Sequence, residues 1–218
     1  MADHDHPERV WDEHDWERFL QQQDRKTERY MELLEKYIDD PNRDSIIARE
    51  MGWFHLLDED GREWVESVDA LFADGGEETD LEAEEFQAEI EGFEHHPLYE
   101  ACFALTIWID HFLEELGDAQ NHPAGVRLTT QSAIAGAKLA AALSDDDVDE
   151  IAMTIAYLKR ALKAITIALE AAAVLKREIE IDPEKFAILV HRLFQIRDGI
   201  ISLMGDYRAD WRRRFGAG

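Results

Sequence analysis

The residue types best suited to chemistry stand close together near the end of one apolar segment. Asp110 and His111 lie one helical turn before Glu114. Carboxylate oxygens and imidazole nitrogens are ligands for divalent metals and partners in proton transfer. Together with Arg160 and His191, they form a candidate polar cluster at which a metal or a small molecule would bind. The simpler interpretation is an ion pair in which Asp110 or Asp206 binds Arg160 or a neighbouring residue, because buried charges need partners.

The spacing of these residues argues against a di-iron centre, a metal site that is common in four-helix bundles. Such a centre needs two Glu-x-x-His pairs that face inward. The residue three positions before His111 is Trp108, and the residue three positions before His191 is Ile188, so neither histidine has the required glutamate. The chain also lacks a glycine-rich phosphate loop and the Cys/His spacing of a zinc site. The sequence therefore predicts no cofactor and no catalytic residue.

Two histidines precede a proline where a helix is predicted to begin, at His96-Pro97 and at His122-Pro123. Proline suits the first turn of a helix, because its missing N–H has no partner there anyway. The two sites lie at opposite ends of the same predicted helix, so they cannot share one metal ion. We expect both histidines to belong to the loop or to cap a helix.

The end of the chain combines aromatic rings with positive charge, a composition that is enriched at protein interfaces. The candidate interaction residues are Trp211, Arg212, Arg213, Arg214 and Phe215. We expect this tail to dock either the acidic N-terminal half of the chain or a partner protein.

Acidic residues dominate the charge of this 218-residue chain. It has 49 Asp and Glu against 23 Lys and Arg, for a formal net charge of −26. Residues 1–96 hold 31 acidic and 9 basic residues, a net charge of −22. Such a chain is repelled by nucleic acid and by anionic membrane surfaces, so neither is an expected partner. A salt-adapted surface and an acidic arm that docks on a basic surface both fit this pattern.

Apolar periodicity predicts an all-α protein whose residues 97–214 form an up-down-up-down four-helix bundle. Its predicted helices are A, B, C and D, at residues 97–116, 123–143, 148–180 and 183–214. Connections this short force neighbouring helices to run antiparallel. Residues 1–96 are predicted to be an acidic helical extension, in a domain separate from the bundle at 97–218. The extension has three to four short helices, near residues 7–38, 44–57, 62–72 and 79–93.

Helices C and D are predicted to be longer than helices A and B, so the C–D hairpin would overhang the A–B hairpin by roughly 15–20 Å. The overhanging part, residues 165–194, is apolar, and an apolar hairpin in water would be a large exposed patch. We expect either the N-terminal helices or a second copy of the chain to cover it. The candidate covering residues are Trp53, Phe54, Leu56, Leu57, Trp64 and Phe72.

The cellular compartment is predicted from the cysteine content and from the apolar segments. The single cysteine, Cys102, lies in an apolar run, which is typical of a core residue in a reducing environment. The first residues are acidic and lack the apolar region of a signal peptide. No apolar stretch approaches the length of a membrane span. We expect a cytoplasmic protein.

These patterns favour a non-enzymatic helical protein that acts as a scaffold or protein-interaction module, with self-association left open. The alternative is a helical bundle that binds a metal or a small molecule, with enzymatic activity left open and a polar site inside the bundle. Polar groups that pair with each other would favour the first interpretation. A pocket among those groups would favour the second.

Overall fold

A computed structural model describes residues 10–53, 93–144 and 151–216 of the chain. Within these ranges all regular structure is helical, which confirms the predicted all-α class. The helix predicted at 62–72, and nearly all of the one predicted at 79–93, lie outside the described residues. No helix in the described ranges is long and apolar enough to cross a membrane.

The described part of the chain contains six α-helices and one short 3-10 helix. The α-helices are α1 (Glu13–Lys36), α2 (Arg43–Met51), α3 (Pro97–Glu115), α4 (Pro123–Leu143), α5 (Ile151–Glu178) and α6 (Pro183–Phe215). The 3-10 helix, Gly117–Asn121, connects α3 to α4. Helices α3 to α6 correspond to the predicted helices A to D.

Helix α2 ends at Met51 and not near Leu57, where the apolar pattern suggested. Gly52 adopts a left-handed conformation with φ of 74°. The Trp53 N–H then donates to the Ala48 carbonyl at 2.7 Å. This reversal closes the helix, because a left-handed glycine satisfies the last free carbonyls of a helix without steric cost.

Three helices begin with a side-chain cap followed by proline. The Nδ1 atoms of His96 and His122 each accept a hydrogen bond from the backbone N–H two residues later, at 3.2 Å in both cases. Asp182 accepts from the Glu184 and Lys185 N–H groups at 2.8 and 3.0 Å. The predicted capping roles of both histidines are therefore confirmed, and Asp182 caps α6 in the same way. Each cap fixes the residue at which its helix starts.

One hydrophobic core is shared by α3, α4, α5 and α6. Its buried members from α3 and α4 include Leu105, Ile109, Leu128 and Leu139, and those from α5 and α6 include Leu158, Ile165, Leu175, Leu189, Leu193 and Ile200. Each of these side chains is at most 1% exposed. Leu158 and Ile165 of α5, seven residues apart, thus face the same core, as the 3.6-residue periodicity of a helix requires.

The overhang predicted at residues 165–194 is wrong. Lys185 near the start of α6 pairs with Glu115 at the end of α3. His122 before α4 lies 3.1 Å from Glu178 at the end of α5. Both helical hairpins therefore have their connections at the same end. Ile165, Leu175, Leu189 and Leu193 of this stretch are buried in the shared core, whereas Ile188 and Phe194 are 44% and 37% exposed.

The excess length of α6 lies at the opposite end. Leu98 at the start of α3 faces Gly199 in α6, and α6 continues from there to Phe215. Helix lengths alone predict that one hairpin is longer, but not which end protrudes. Contacts between helices decide the end.

The described residues fall into two compact units. One contains residues 10–16, 93–144 and 151–216, and the other contains residues 17–53. In the second unit Tyr30 stacks on Trp53 with ring centroids 5.8 Å apart, and Leu33 and Ile47 are buried. Trp53, a predicted cover for the long hairpin, thus has an aromatic partner within its own unit. The other predicted covering residues lie outside the described residues, and the division predicted between residues 96 and 97 stays a prediction.

Candidate functional site

The predicted polar cluster does not lie inside the helical core. Asp110, His111 and His191 are exposed, and Arg160 is half-buried. They occupy the outer faces of their helices, because the neighbouring Ile109 and the other core positions take the inner faces. The placement of these residues at an interior site is therefore corrected by the structure.

The members of this cluster have different surroundings. Asp110 lines a shallow cavity of about 220 Å³ with Leu113 and α4 residues such as Val126. It makes no ion pair within the described ranges, so the predicted pair with Arg160 is not formed. His111 lies 3.4 Å from Glu114 on its own helix. Among the described residues there is no group of three or more side chains that could hold a metal ion.

The positively charged tail is partly neutralised within α6. Arg214 lies 3.0 Å from Asp210, and Arg213 contacts the same carboxylate. These contacts, first of all the hydrogen bond from Arg213, hold the pKa of Asp210 below its ordinary value. The rings of Trp211 and Phe215 pack against each other with centroids 5.9 Å apart. Two of the three predicted interaction arginines are therefore engaged on their own helix.

The structure joins the N-terminal segment to the C-terminal end of α6 through Glu13. The Arg208 Nε and Nη2 atoms donate to the two oxygens of Glu13 at 3.0 and 3.2 Å. The Lys159 Nζ atom of α5 lies 3.1 Å from the same carboxylate. The Glu13 side chain is 20% exposed. A bidentate arginine pair with a second cation is a strong way to hold one carboxylate.

The local sequence around Glu13 pre-organises this contact. The Asp12 carboxylate accepts from the His14 and Asp15 N–H groups at 2.8 and 2.9 Å. Asp15 in turn accepts from the Asp12 N–H at 3.2 Å. This reciprocal arrangement is a capping box. It makes Glu13 the first residue of α1 and sets the direction of its side chain.

Two effects act on the pKa of Glu13. Burial by itself would raise this pKa, since it disfavours the charged form. The hydrogen bonds and positive charges of Arg208 and Lys159 together outweigh burial, so the pKa is lower than that of an ordinary glutamate. Glu13 is therefore ionised at neutral pH.

A cavity of about 240 Å³ lies beside this ion-pair cluster. In the described part of the chain it is lined by Asp12, Glu13, His14, Ile155, Arg208, Trp211 and Arg212. We call it the N-terminal cavity. Arg212 donates through Nε to the Arg208 carbonyl at 3.1 Å. It makes no ion pair with any described residue. The Trp211 Nε1 atom is buried and has no hydrogen-bond partner among the described residues.

The sequence predicted Trp211 and Arg212 as interaction residues, and it predicted that the acidic N-terminal half could dock on the basic tail. It did not identify Glu13, Lys159 or Ile155. The spacing Asp12-x-x-Asp15 was the available signal, because a capping box marks the first residues of a helix. No local pattern connects Glu13 to residues 159 and 208, which are far away in the sequence.

A second feature of this unit is an apolar surface on α3 and α4. Phe103, Ile107 and Val126 are 55%, 45% and 51% exposed. Ala133 and Ala137 of α4 are also exposed. We call these five residues the α3–α4 face.

Two observations set the position of α3 against α4 along this face. A Cβ added at Gly136 would lie 4.0 Å from the Cys102 sulfur. Asp110 and Val126 line the same shallow cavity.

Cys102 itself is fully buried, and burial raises the pKa of its thiol to about 12, so it is not a reactive nucleophile.

Comparison with protein-family models, with curated proteins and with solved structures finds no match to this chain.

Proposed function

We propose that this chain is a non-enzymatic helical interaction module that self-associates through the α3–α4 face. The proposal includes an up-down-up-down bundle of α3 to α6 that presents this face outward, and a cytoplasmic location. The observation that carries it is the exposure of Phe103, Ile107 and Val126 on two adjacent helices. Contiguous exposed apolar surface on an otherwise polar protein is typical of an interaction site.

The distribution of side-chain size on this face suits a second copy of the same chain. Phe103 and Ile107 on α3 are large, whereas Ala133 and Ala137 on α4 are small. A two-fold axis would place α3 of one copy over α4 of the other, so that large side chains enter the spaces beside small ones. A self-complementary surface of this kind is what a symmetric dimer requires.

Charge also favours this face as the contact between two copies. Each copy carries a net charge of −26, so most surfaces repel one another. The five residues of the α3–α4 face are uncharged, which lets two copies approach there at the lowest electrostatic cost. Because salt screens the remaining repulsion, dimerisation is expected to strengthen as the salt concentration rises.

Sedimentation equilibrium over a range of protein concentrations tests the proposal. We expect the wild-type chain to dimerise and Ile107→Glu to remain monomeric. Ile188→Glu is the matched control, because Ile188 on α6 is 44% exposed and lies outside the face. It should dimerise like the wild type, and circular dichroism should show that both variants keep their helices.

Three results would overturn the proposal. They are a monomeric wild type at all concentrations, an Ile107→Glu variant that dimerises normally, and equal loss of dimer in both variants. The last result would mean that added charge anywhere on the surface prevents association.

A further inference from the structure

We propose that the N-terminal cavity binds a small organic monocarboxylate with an aromatic or compact apolar body. Its volume of about 240 Å³ is below the roughly 300–1,000 Å³ of sites for drug-sized ligands. A single substituted ring matches this size. This inference is independent of self-association, since the cavity and the α3–α4 face share no residue.

The walls of the cavity provide the apolar contact. Ile155 is 2% exposed, and the indole of Trp211 is held against Phe215. A flat ring that enters here would lie beside the isoleucine and against the half-buried indole. Contact between apolar surfaces of this kind favours binding, because it removes them from water.

Among the described residues, Arg212 is the cavity-lining arginine for which no ion pair is found. The carboxylate of Glu13 is neutralised by Arg208 and Lys159. The carboxylate of Asp12 accepts backbone N–H groups. Arg212 lines the cavity without an anionic partner in the described ranges. Its Nε is bonded to the Arg208 carbonyl, which orients a guanidinium group that can bind a carboxylate through its terminal nitrogens.

The net charge of the whole chain restricts the class of anion. A field from a charge of −26 disfavours polyanions such as nucleotides, and the penalty grows with ligand charge. A monoanion is repelled least by this field and can still form an ion pair with Arg212. Residues 12–14 form one side of the cavity, so a bound ligand would also contact the start of α1.

Benzoate is the probe for this site, with benzamide as a neutral molecule of the same shape. The full chain is labelled with ¹⁵N-tryptophan, and its indole N–H signals are followed by NMR during titration. The Trp211 signal is assigned from its loss in Trp211→Phe. We expect benzoate to shift this signal saturably, and benzamide to shift it with at least roughly tenfold weaker affinity, as expected for a lost charge-assisted hydrogen bond.

Arginine variants separate specific binding from general electrostatics. Arg212→Gln should weaken benzoate binding by roughly tenfold or more. Arg213→Gln is the matched control, because Arg213 is the next residue but is paired with Asp210 and does not line the cavity. It should leave benzoate affinity within about twofold of the wild type, as expected for an exposed charge at a distance.

The proposal is overturned by any of three results. The Trp211 signal does not respond to benzoate, it responds equally to benzamide, or the two arginine variants lose affinity equally. The cavity shares no residue with the α3–α4 face, so failure here leaves the proposed self-association intact.

Discussion

Glu13 shows how one residue connects distant parts of this chain. Its carboxylate is bound by Arg208 at the end of α6 and by Lys159 in α5, across long separations in sequence. The capping box of Asp12 and Asp15 holds the backbone on which it sits. A fully exposed ion pair contributes little to stability, but a bidentate and partly buried pair contributes more.

We expect Glu13→Gln to lower the free energy of unfolding by about 1 kcal/mol at neutral pH, because two cations lose their anionic partner. The pKa of Glu13 is depressed in the folded protein. Its stabilising contribution is therefore present above the unfolded pKa and is lost as the pH falls through the folded pKa. Urea unfolding of both proteins over this acidic range should show the difference disappear.

Glu28→Gln is the control for this prediction. Glu28 lies on the same helix, α1, and is exposed. Its replacement should leave the urea midpoint nearly unchanged at every pH. A pH-independent loss of stability in Glu13→Gln would show that the side chain acts through packing and not through its charge.

At the scale of helices, α6 carries two glycines with opposite surroundings. A Cβ at Gly199 would come within 2.5 Å of the Leu98 Cδ1 atom of α3, whereas a Cβ at Gly205 would meet nothing within 4 Å. Glycine costs up to about 1 kcal/mol relative to alanine inside a helix. At Gly199 the missing side chain lets α3 and α6 approach closely. At Gly205 a Cβ would contact nothing, so glycine gives no such benefit there.

We expect Gly205→Ala to stabilise the protein by about 0.5–1 kcal/mol through helix propensity alone. Gly199→Ala should be at least about 1 kcal/mol less favourable than Gly205→Ala, because Leu98 must move. Thermal and urea unfolding measure both values. In a Leu98→Ala background the difference between the two glycine variants should largely vanish. If it persists there, the close approach to Leu98 is not its cause.

The positions of the helices were predictable to within a few residues where caps were present. His96, His122 and Asp182 mark the starts of α3, α4 and α6 with the residue type that the backbone N–H groups need. The end of α2 at Met51 was missed, because the left-handed turn at Gly52 interrupts a pattern that continues to be apolar. A capping residue thus predicts where a helix starts better than the apolar pattern predicts where a helix ends when no proline follows.

At the scale of the whole molecule, the net charge of −26 opposes the compact state. Repulsion among many acidic groups destabilises the folded chain and is screened within about 10 Å at an ionic strength of 0.1 M. A few ion pairs, such as that of Glu13, act in the opposite direction and are weakened by salt. With 49 acidic and 23 basic residues, repulsion should dominate.

We therefore expect the urea midpoint at neutral pH to rise when NaCl is added to a low-salt buffer. The effect should shrink as the pH is lowered toward the isoelectric point of about 4.5, where the net charge that salt screens is small. Measurement at a dilution that keeps the chain monomeric separates this effect from dimerisation. A midpoint that falls with added NaCl at neutral pH would show that ion pairs outweigh repulsion.

The sequence by itself determined the helical class, the starts of three of the helices, the apolar periodicity of α5 and the acidic character of the chain. These properties depend on residues that are neighbours in sequence, through capping, periodicity and composition. Only the tertiary structure decided which end of α6 protrudes, and that Glu13 meets Lys159 and Arg208. Those features depend on how helix faces pack between residues that are far apart in sequence. Many weak contacts compete there, and no short sequence pattern predicts which of them form.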